Sequence, residues 1–557
     1  MRAATMYILL VLITILSCRK EDPSDDPDNN TLIPANHDIQ IIEQEGKGVF
    51  WNTVTDAAFV PRGVNYFWIT TNSVGIQDRF FAIGFFNEER VRQDFRNLKA
   101  RGYNTVRIFM DSCEDDGLCI GNTDGEGLNP AYLDNIQTTL SIAHEEEIYL
   151  LLTSNDLPHD GGYWEQSNEG ASDRFEGYRN AHYLTTDGVE SAKQYWDDLL
   201  SGLSERNARF EVILAWSLLN EQWYFRNYPP FSLSSGTVSC ANGKSYDLSS
   251  PDDKKRMALE GIAFYIDEVR RVIDKYDPNA LITMGFFVPD YPNPLRTGDF
   301  RYVETAELID YADLDFFDFH AYPGEESLAD IAENFGMSRY TTKPVMMGEV
   351  GAFLHHYESA ESAAAASQQW IAQSCLYGFD GWLYWGLYRA PEAIGDASWG
   401  FYDADEELFD ALSPMLYPDA CAEELLPQEN LALKAEATAS EYLADEPPSQ
   451  ALDGNYSTQW GAGADAPQWI RIDLGQEHGI SLIKLYVAQY PEGNTVHELE
   501  ARTGSGSWFT LKTFSSNTAD GDVIEYTTDS PVNCQYLRIT TTVSPSWVAW
   551  KEIEVFE

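Results

Sequence analysis

Positive charge is scarce in this chain. Against 89 Asp and Glu, its 557 residues carry 37 Lys and Arg, a formal net charge of −52. A field of that sign repels nucleic acid and anionic membrane, and it disfavours polyanions such as pectins or sulfated glycans; a neutral substrate fits best. Long apolar runs are also missing, since MYILLVLITIL at residues 6–16 is too short for a comfortable membrane span. Cysteine is sparse, and none has metal-ligand spacing with histidine, so no zinc site is expected and no cofactor is expected for catalysis. No glycine-rich phosphate turn follows the first strand-like run, which weakens an open doubly wound sheet. Aromatic residues, by contrast, make up 13% of the chain, with 15 Trp and 31 Tyr, which excludes general disorder and supplies surfaces able to stack on sugars. The length predicts two or more domains.

Arg2 precedes the short apolar run, and Ser17 and Cys18 follow it. The sequence ILSC resembles a bacterial lipobox. That resemblance implies a signal peptide over 1–17, removed so that Cys18 becomes the lipidated first residue at the outer membrane or cell surface, its sole membrane attachment. An acidic Pro/Asp-rich linker, residues 18–38, cannot build a core. In an exported protein some of Cys113, Cys119, Cys240, Cys375, Cys421 and Cys534 can pair, and Cys113 with Cys119 is the shortest closure.

From about residue 39 to 425 short β-branched or aromatic runs alternate with helical periods. Strands are expected at 60–68, 104–110, 148–154, 212–220, 281–287, 316–322, 344–350 and 381–388, with amphipathic stretches such as EERVRQDFRNLKARG between them. Eight strands with interleaved helices predict a (β/α)8 barrel. Past EELLPQE, residues 423–429, the helical alternation stops. Residues 426–557 are rich in Thr, Val, Ile and Tyr with Gly/Asp/Asn turns, which predicts an all-β sandwich.

In a parallel barrel the active face lies at the C-terminal strand ends. The expected strands deliver Arg107, Asn155, His159, Asn220, Glu221, His320, Tyr322, Glu349 and Trp385 to that one mouth. Two carboxylates with an arginine and aromatics suit glycoside hydrolysis: one carboxyl protonates the departing oxygen while the other, ionised, attacks the anomeric carbon. A spacing of about 5 to 5.5 Å leaves no room for an intervening water, and configuration is then retained.

NE on the fourth strand, HAY on the sixth, GEVG on the seventh, a Trp on the eighth and NTVRI on the second resemble clan A glycoside hydrolases, most of all family 5. The resemblance implies Glu221 as acid/base, Glu349 as nucleophile and Asn220 as donor to the sugar 2-hydroxyl. It places Arg107 and Tyr322 beside Glu349, His320 in the cleft wall and Trp385 beneath the sugar at the cleavage point, and it carries Asn155 and His159 over only loosely. Gln222 stands where the family usually has proline. GVNYFWI, GGYW and YLTTDGVESAKQYW are similar to the β-mannanase-like branch, which implies an endo-β-1,4-mannanase acting on a neutral β-linked polysaccharide. The alternatives are an endo-β-glucanase on β-1,4 or β-1,3 linkages, a transglycosylase using the same residues, and a non-catalytic glycan-binding lipoprotein. Trp164, Trp223 and Tyr224 are candidate stacking residues in the loops.

SQALDGNYSTQW, WIRIDLG and the closing AWKEIEVFE resemble the coagulation factor 5/8 type C (discoidin-like) domain, the group that includes family 32 carbohydrate-binding modules. The resemblance implies a structural calcium held by Asp453, Asn455, Thr458 and Glu552, oxygen ligands suited to a hard cation. Trp508, Trp547 and Tyr490 are candidate sugar contacts.

Overall fold

The structure, a computed structural model, describes residues 36–72, 75–111, 117–123, 125–286, 300–308, 311–323, 327–337, 342–389, 397–418 and 430–557. The signal peptide, Cys18, Cys113 and Cys421 lie outside the described residues. Cys119 and Cys375 are disulfide-bonded, whereas Cys240 and Cys534 are free and buried. Among the described residues no helix is long and apolar enough to cross a membrane.

All eight expected barrel strands form. They are β1 (Arg62–Asn65), β2 (Thr105–Phe109), β3 (Tyr149–Thr153), β4 (Ile213–Ser217), β5 (Ile282–Thr283 with Gly285–Phe286), β6 (Phe317–His320), β7 (Val345–Val350) and β8 (Trp382–Trp385). Every neighbouring pair is parallel, and β8 returns to β1. β5 completes the ring in two halves: Ile282–Thr283 pair with β4, and Gly285–Phe286 pair with β6. The sheet therefore closes into a barrel.

Helices α1 (Glu88–Ala100), α2 (Pro130–Glu146), α3 (Thr186–Glu205), α4 (Pro251–Tyr276), α5 (Thr305–Leu308), α6 (Leu328–Phe335), α7 (Ala360–Leu376) and α8 (Glu407–Ala411) follow the strands in turn. Six begin on a side-chain cap written in the sequence, namely Asn87, Asn129, Thr185, Ser250, Ser327 and Ser359, each accepting from a first-turn amide. Their apolar stripes bury Val91, Phe95, Ile136, Trp196, Leu200, Ile262 and Ile266 against the strands. An N-terminal hairpin, Ile39–Gln44 with Lys47–Asn52, joins the barrel through Ile39 and Phe50, which cluster with Leu151, Leu214, Leu281, Phe316, Met346 and Leu383. That apolar layer fills the lower interior and leaves the C-terminal mouth for polar side chains.

The C-terminal region is antiparallel. Its strands β9 (Glu436–Ala439), β10 (Trp460–Gly461), β11 (Gln468–Val487), β12 (Gly493–Arg502), β13 (Phe509–Thr518), β14 (Val523–Val543) and β15 (Ala549–Phe556) pair in the order β10-β15-β11-β14-β12-β13, with β9 on β11. Register shifts between Asp473 and His478 and between Ile480 and Leu482 bend the long β11–β14 pair. Alternate residues such as Ile470, Ile472, Ile483, Leu485, Leu499, Leu537, Ile539 and Trp550 then meet in a core of their own.

Candidate active site

The mouth is organised around one buried cation. Arg107, the third residue of β2, points inward and is fully buried. Its Nη1 donates to Asn65 Oδ1 at 2.8 Å and Glu349 Oε1 at 2.7 Å, and its Nη2 donates to Asn220 Oδ1 at 2.7 Å. A guanidinium can only donate, so Asn220 must turn its oxygen to Arg107, which leaves its amide Nδ2 as the donor for a ligand. Asn65 in turn donates to the Gly348 carbonyl at 2.9 Å, tying β1 to β7.

Glu349 is 5% exposed and held on both oxygens, since Tyr322 donates its hydroxyl to Oε2 at 2.6 Å. Burial and the Glu349 carboxylate push the Tyr322 hydroxyl well above its ordinary value, so it remains a donor. His320 bridges the two glutamates, with Nδ1 2.8 Å from Glu221 Oε1 and 3.3 Å from Glu349 Oε2. Its Nε2 lies 3.5 Å from Arg107 Nη2. Because that nitrogen faces a donor, the Nδ1–H tautomer is selected and the imidazole N–H points at the carboxylates. Burial, helped by Arg107 and opposed by Glu349, holds His320 below its usual pKa and hence neutral.

One donor atom from each of Glu221, His320 and Glu349 falls within 4.8 Å of the others. Such a trio resembles a metal cradle in outline. Arg107, 2.7 Å from Glu349, places one guanidinium cation beside this carboxylate pair. Two glycines admit it: a Cβ on Gly348 would lie 1.7 Å from Asp318 Oδ1, and one on Gly285 would lie 1.8 Å from the Asn220 carbonyl.

The structure thus brings together Arg107, Asn220, Glu221, His320, Tyr322 and Glu349. Trp385 packs its ring 4.6 Å from Phe67 and 6.0 Å from Phe109, and the Arg107 guanidinium lies over the same Phe109 ring at 4.9 Å. Asn155 and His159 occupy the segment after β3. The Asn155 backbone N–H donates to the buried Asp111 carboxylate, and His159 lies against Trp164, whose ring is tilted against Tyr178 with centroids 4.9 Å apart. Trp223 is half-buried beside Glu221, its ring 4.4 Å from the Arg179 guanidinium.

Two stacking candidates are corrected. Tyr224 is 2% exposed and donates its hydroxyl to the Ala258 carbonyl at 2.9 Å, so it is core; neighbours along an extended segment face opposite ways, and Trp223 takes the outer side. Trp508 is covered by Arg502 at 5.1 Å and Arg538 at 4.5 Å, which use its ring as a cation platform. Sequence reading missed Asn65, Asp318 and Arg179. Asp318 shares an inward face with His320 two residues on, is fully buried, and lies 3.7 Å from Arg107 Nε. Its signal was the FDFH alternation.

In the C-terminal region the Asp453–Thr458 turn meets Glu552. Thr458 Oγ1 donates to Asp453 Oδ2 at 2.9 Å, and the Gly454 amide donates to Glu552 Oε2 at 3.2 Å. Asn455 Oδ1 accepts from the Ser457 amide at 2.9 Å. Glu552 is fully buried, its Oε1 has no hydrogen-bond partner among the described residues, and burial together with Asp453 and Glu554 pushes its carboxyl up to about 9. A buried carboxylate beside a second one fits a site made for a cation.

Residues 436–553 match the F5/8 type C domain. No curated protein sequence matches the chain. Among solved structures, the family 32 carbohydrate-binding module of C. perfringens NanJ, in complex with galactose, is 22% identical, covers 23% of this chain and 98% of its own, and gives a TM-score of 0.22. Chitosan-binding module 2 of a Paenibacillus sp. IK-5 chitosanase/glucanase, in complex with chitotriose, is 30% identical over 23% of this chain and 100% of its own, with a TM-score of 0.20. The endo-1,4-β-mannanase of Rhizomucor miehei is 16% identical and covers 68% of this chain and 99% of its own, with a TM-score of 0.48.

Proposed function

We propose that the chain is a retaining glycoside hydrolase, an endo-β-1,4-mannanase acting on neutral β-linked polysaccharide, tethered to the cell surface through Cys18 and guided by its C-terminal module. The observation that carries this reading is the carboxylate pair. One oxygen of each carboxylate reaches the same His320 Nδ1, Glu221 Oε1 at 2.8 Å and Glu349 Oε2 at 3.3 Å, and that close approach supports double displacement over direct attack by a water held between more widely spaced carboxyls.

In this mechanism Glu349, oriented by Arg107 and Tyr322, attacks the anomeric carbon while Glu221 gives its proton to the glycosidic oxygen. The C–O bond to the leaving sugar breaks as the bond to Glu349 forms. A water then enters, Glu221 takes its proton, and the hydroxide displaces Glu349. The His320 Nδ1–H steadies Glu221 Oε1 through both steps. Asn220 Nδ2 is the donor for the 2-hydroxyl, and Trp385 is the floor beneath the ring.

Mannan is favoured by the GVNYFWI, GGYW and YLTTDGVESAKQYW segments described above. In the module, Asp453, Asn455, Thr458 and Glu552 would hold calcium, whose role is to neutralise the buried Glu552 and fix the turn. Reducing-sugar release by the wild type and Glu349→Gln on galactomannan, glucomannan, mixed-linkage β-glucan and laminarin tests the assignment. Release from the mannans by the wild type alone is expected. Equal release by the variant would overturn Glu349 as nucleophile, and binding without any release would favour a capture protein.

A further inference from the structure

The β3–α3 segment carries a buried charge cluster that the carboxylate chemistry leaves unused. Arg179 sits on the short helix Tyr178–Leu184 and is 7% exposed. Its Nη1 donates to the main-chain carbonyl of Glu221 at 2.6 Å, its Nε donates to the Tyr178 hydroxyl at 3.0 Å, and its Nη2 lies 3.3 Å from Asp156 Oδ2. The guanidinium also lies over the Trp223 ring at 4.4 Å. Asp156 is engaged from its other oxygen by His182 Nδ1 at 3.3 Å. Burial alone would raise the Asp156 carboxyl, but Arg179 and His182 outweigh it and hold it below its usual value, so the pair is ionised.

One side chain thus grips the backbone of residue 221 and the ring two residues later. The opposite side of the same peptide is pinned by the Gln222 amide, which donates to the Gly285 carbonyl at 3.1 Å. At position 222 a proline would restrict the backbone of the preceding residue by itself. Gln222 imposes no such restriction, and the cross-loop grip supplies it.

We propose that Arg179, itself fixed by Asp156, is a positioning residue that aims the Glu221 carboxyl at the leaving oxygen and sets Trp223 beside it. The inference rests on the glycosidase reading above. Its consequence is a dependence on the leaving group: a sugar alkoxide needs the proton that Glu221 delivers, whereas a dinitrophenolate departs without it.

The test compares kcat/KM of the wild type, Arg179→Met and Arg179→Lys on two pairs of substrates. These are mannopentaose with 2,4-dinitrophenyl β-mannobioside, and cellopentaose with 2,4-dinitrophenyl β-cellobioside. On the pair that the wild type cleaves, Arg179→Met should lose about 30-fold or more on the oligosaccharide and far less on the aryl glycoside, within the range of a misaimed general acid. Lysine should not rescue, because it lacks the fork that spans Asp156 and the Glu221 carbonyl. Equal losses on both substrates, or no loss on either, would overturn the proposal while the wild-type activity keeps the glycosidase reading intact. A wild type that cleaves none of the four would remove both. Should Arg179→Met fail to fold, Asp156→Asn reads the same ratio, with the same outcomes deciding.

Discussion

Two buried glutamates, one in each half of the molecule, show opposite solutions to the same problem. Glu349 in the barrel receives Arg107 on one oxygen and Tyr322 on the other. Glu552 in the C-terminal sheet receives the Gly454 backbone amide on Oε2, and its Oε1 has no hydrogen-bond partner among the described residues. An unpaired buried carboxylate is costly, so it neutralises itself or recruits a cation. Glu349 therefore has its counter-charge within the protein, in the Arg107 guanidinium. The Glu552 turn is balanced only by a proton or by an ion from outside. Pre-arranged charge suits catalysis, which needs its electrostatics in place before substrate arrives; an ion-dependent turn suits a module whose loops are to be fixed.

The sharpest way to break the comparison is at Glu349. Glu349→Gln should lower kcat by more than about 10³-fold with little change in substrate affinity, as measured by single-turnover kinetics and calorimetric binding. Arg107→Lys should follow at about 10²-fold, since an ammonium cannot span Asn65, Asn220 and Glu349 at once. Near-wild-type activity of that variant would mean that charge alone, without the fork, is sufficient.

At Glu552 the expected effect is on stability. Its carboxyl is shifted from 4.5 to about 9 on folding, so the folded state binds the extra proton between those values. The contribution of Glu552 to stability is full below pH 4.5 and is lost as pH rises toward about 9. In thermal melts with chelator the module's Tm should drop across that window; calcium or Glu552→Gln should flatten the slope. A pH-independent Tm in chelator would remove Glu552 as a cation ligand. The smallest effect separates two tryptophans. Trp547, 56% exposed, should on truncation to alanine weaken retention on insoluble polysaccharide by about tenfold, whereas Trp508→Ala should cost about 1 kcal/mol of stability and leave retention unchanged.

What could be read from the sequence follows from how local each signal is. Strand alternation, helix caps and the polar residues at strand ends depend on near neighbours, and they placed all eight barrel strands and the six side chains that meet at the mouth. Asn65 and Asp318 were legible in principle as inward positions on β1 and β6, but both sit in apolar runs that read as core. Arg179 was not legible, because its partners are 23 and 42 residues away and only the β3–α3 fold brings them together. Tyr224 and Trp508 fail for a related reason: whether an aromatic ring is free depends on which face the strand turns inward and on which arginines lie across it.

The central claim is that Glu221 and Glu349 act as a retaining pair. Proton NMR of the first-formed product from mannopentaose reads this directly, before mutarotation intervenes. A β-configured reducing end appearing first is the predicted result. An α-configured end appearing first would show inversion by a directly attacking water and would contradict the account.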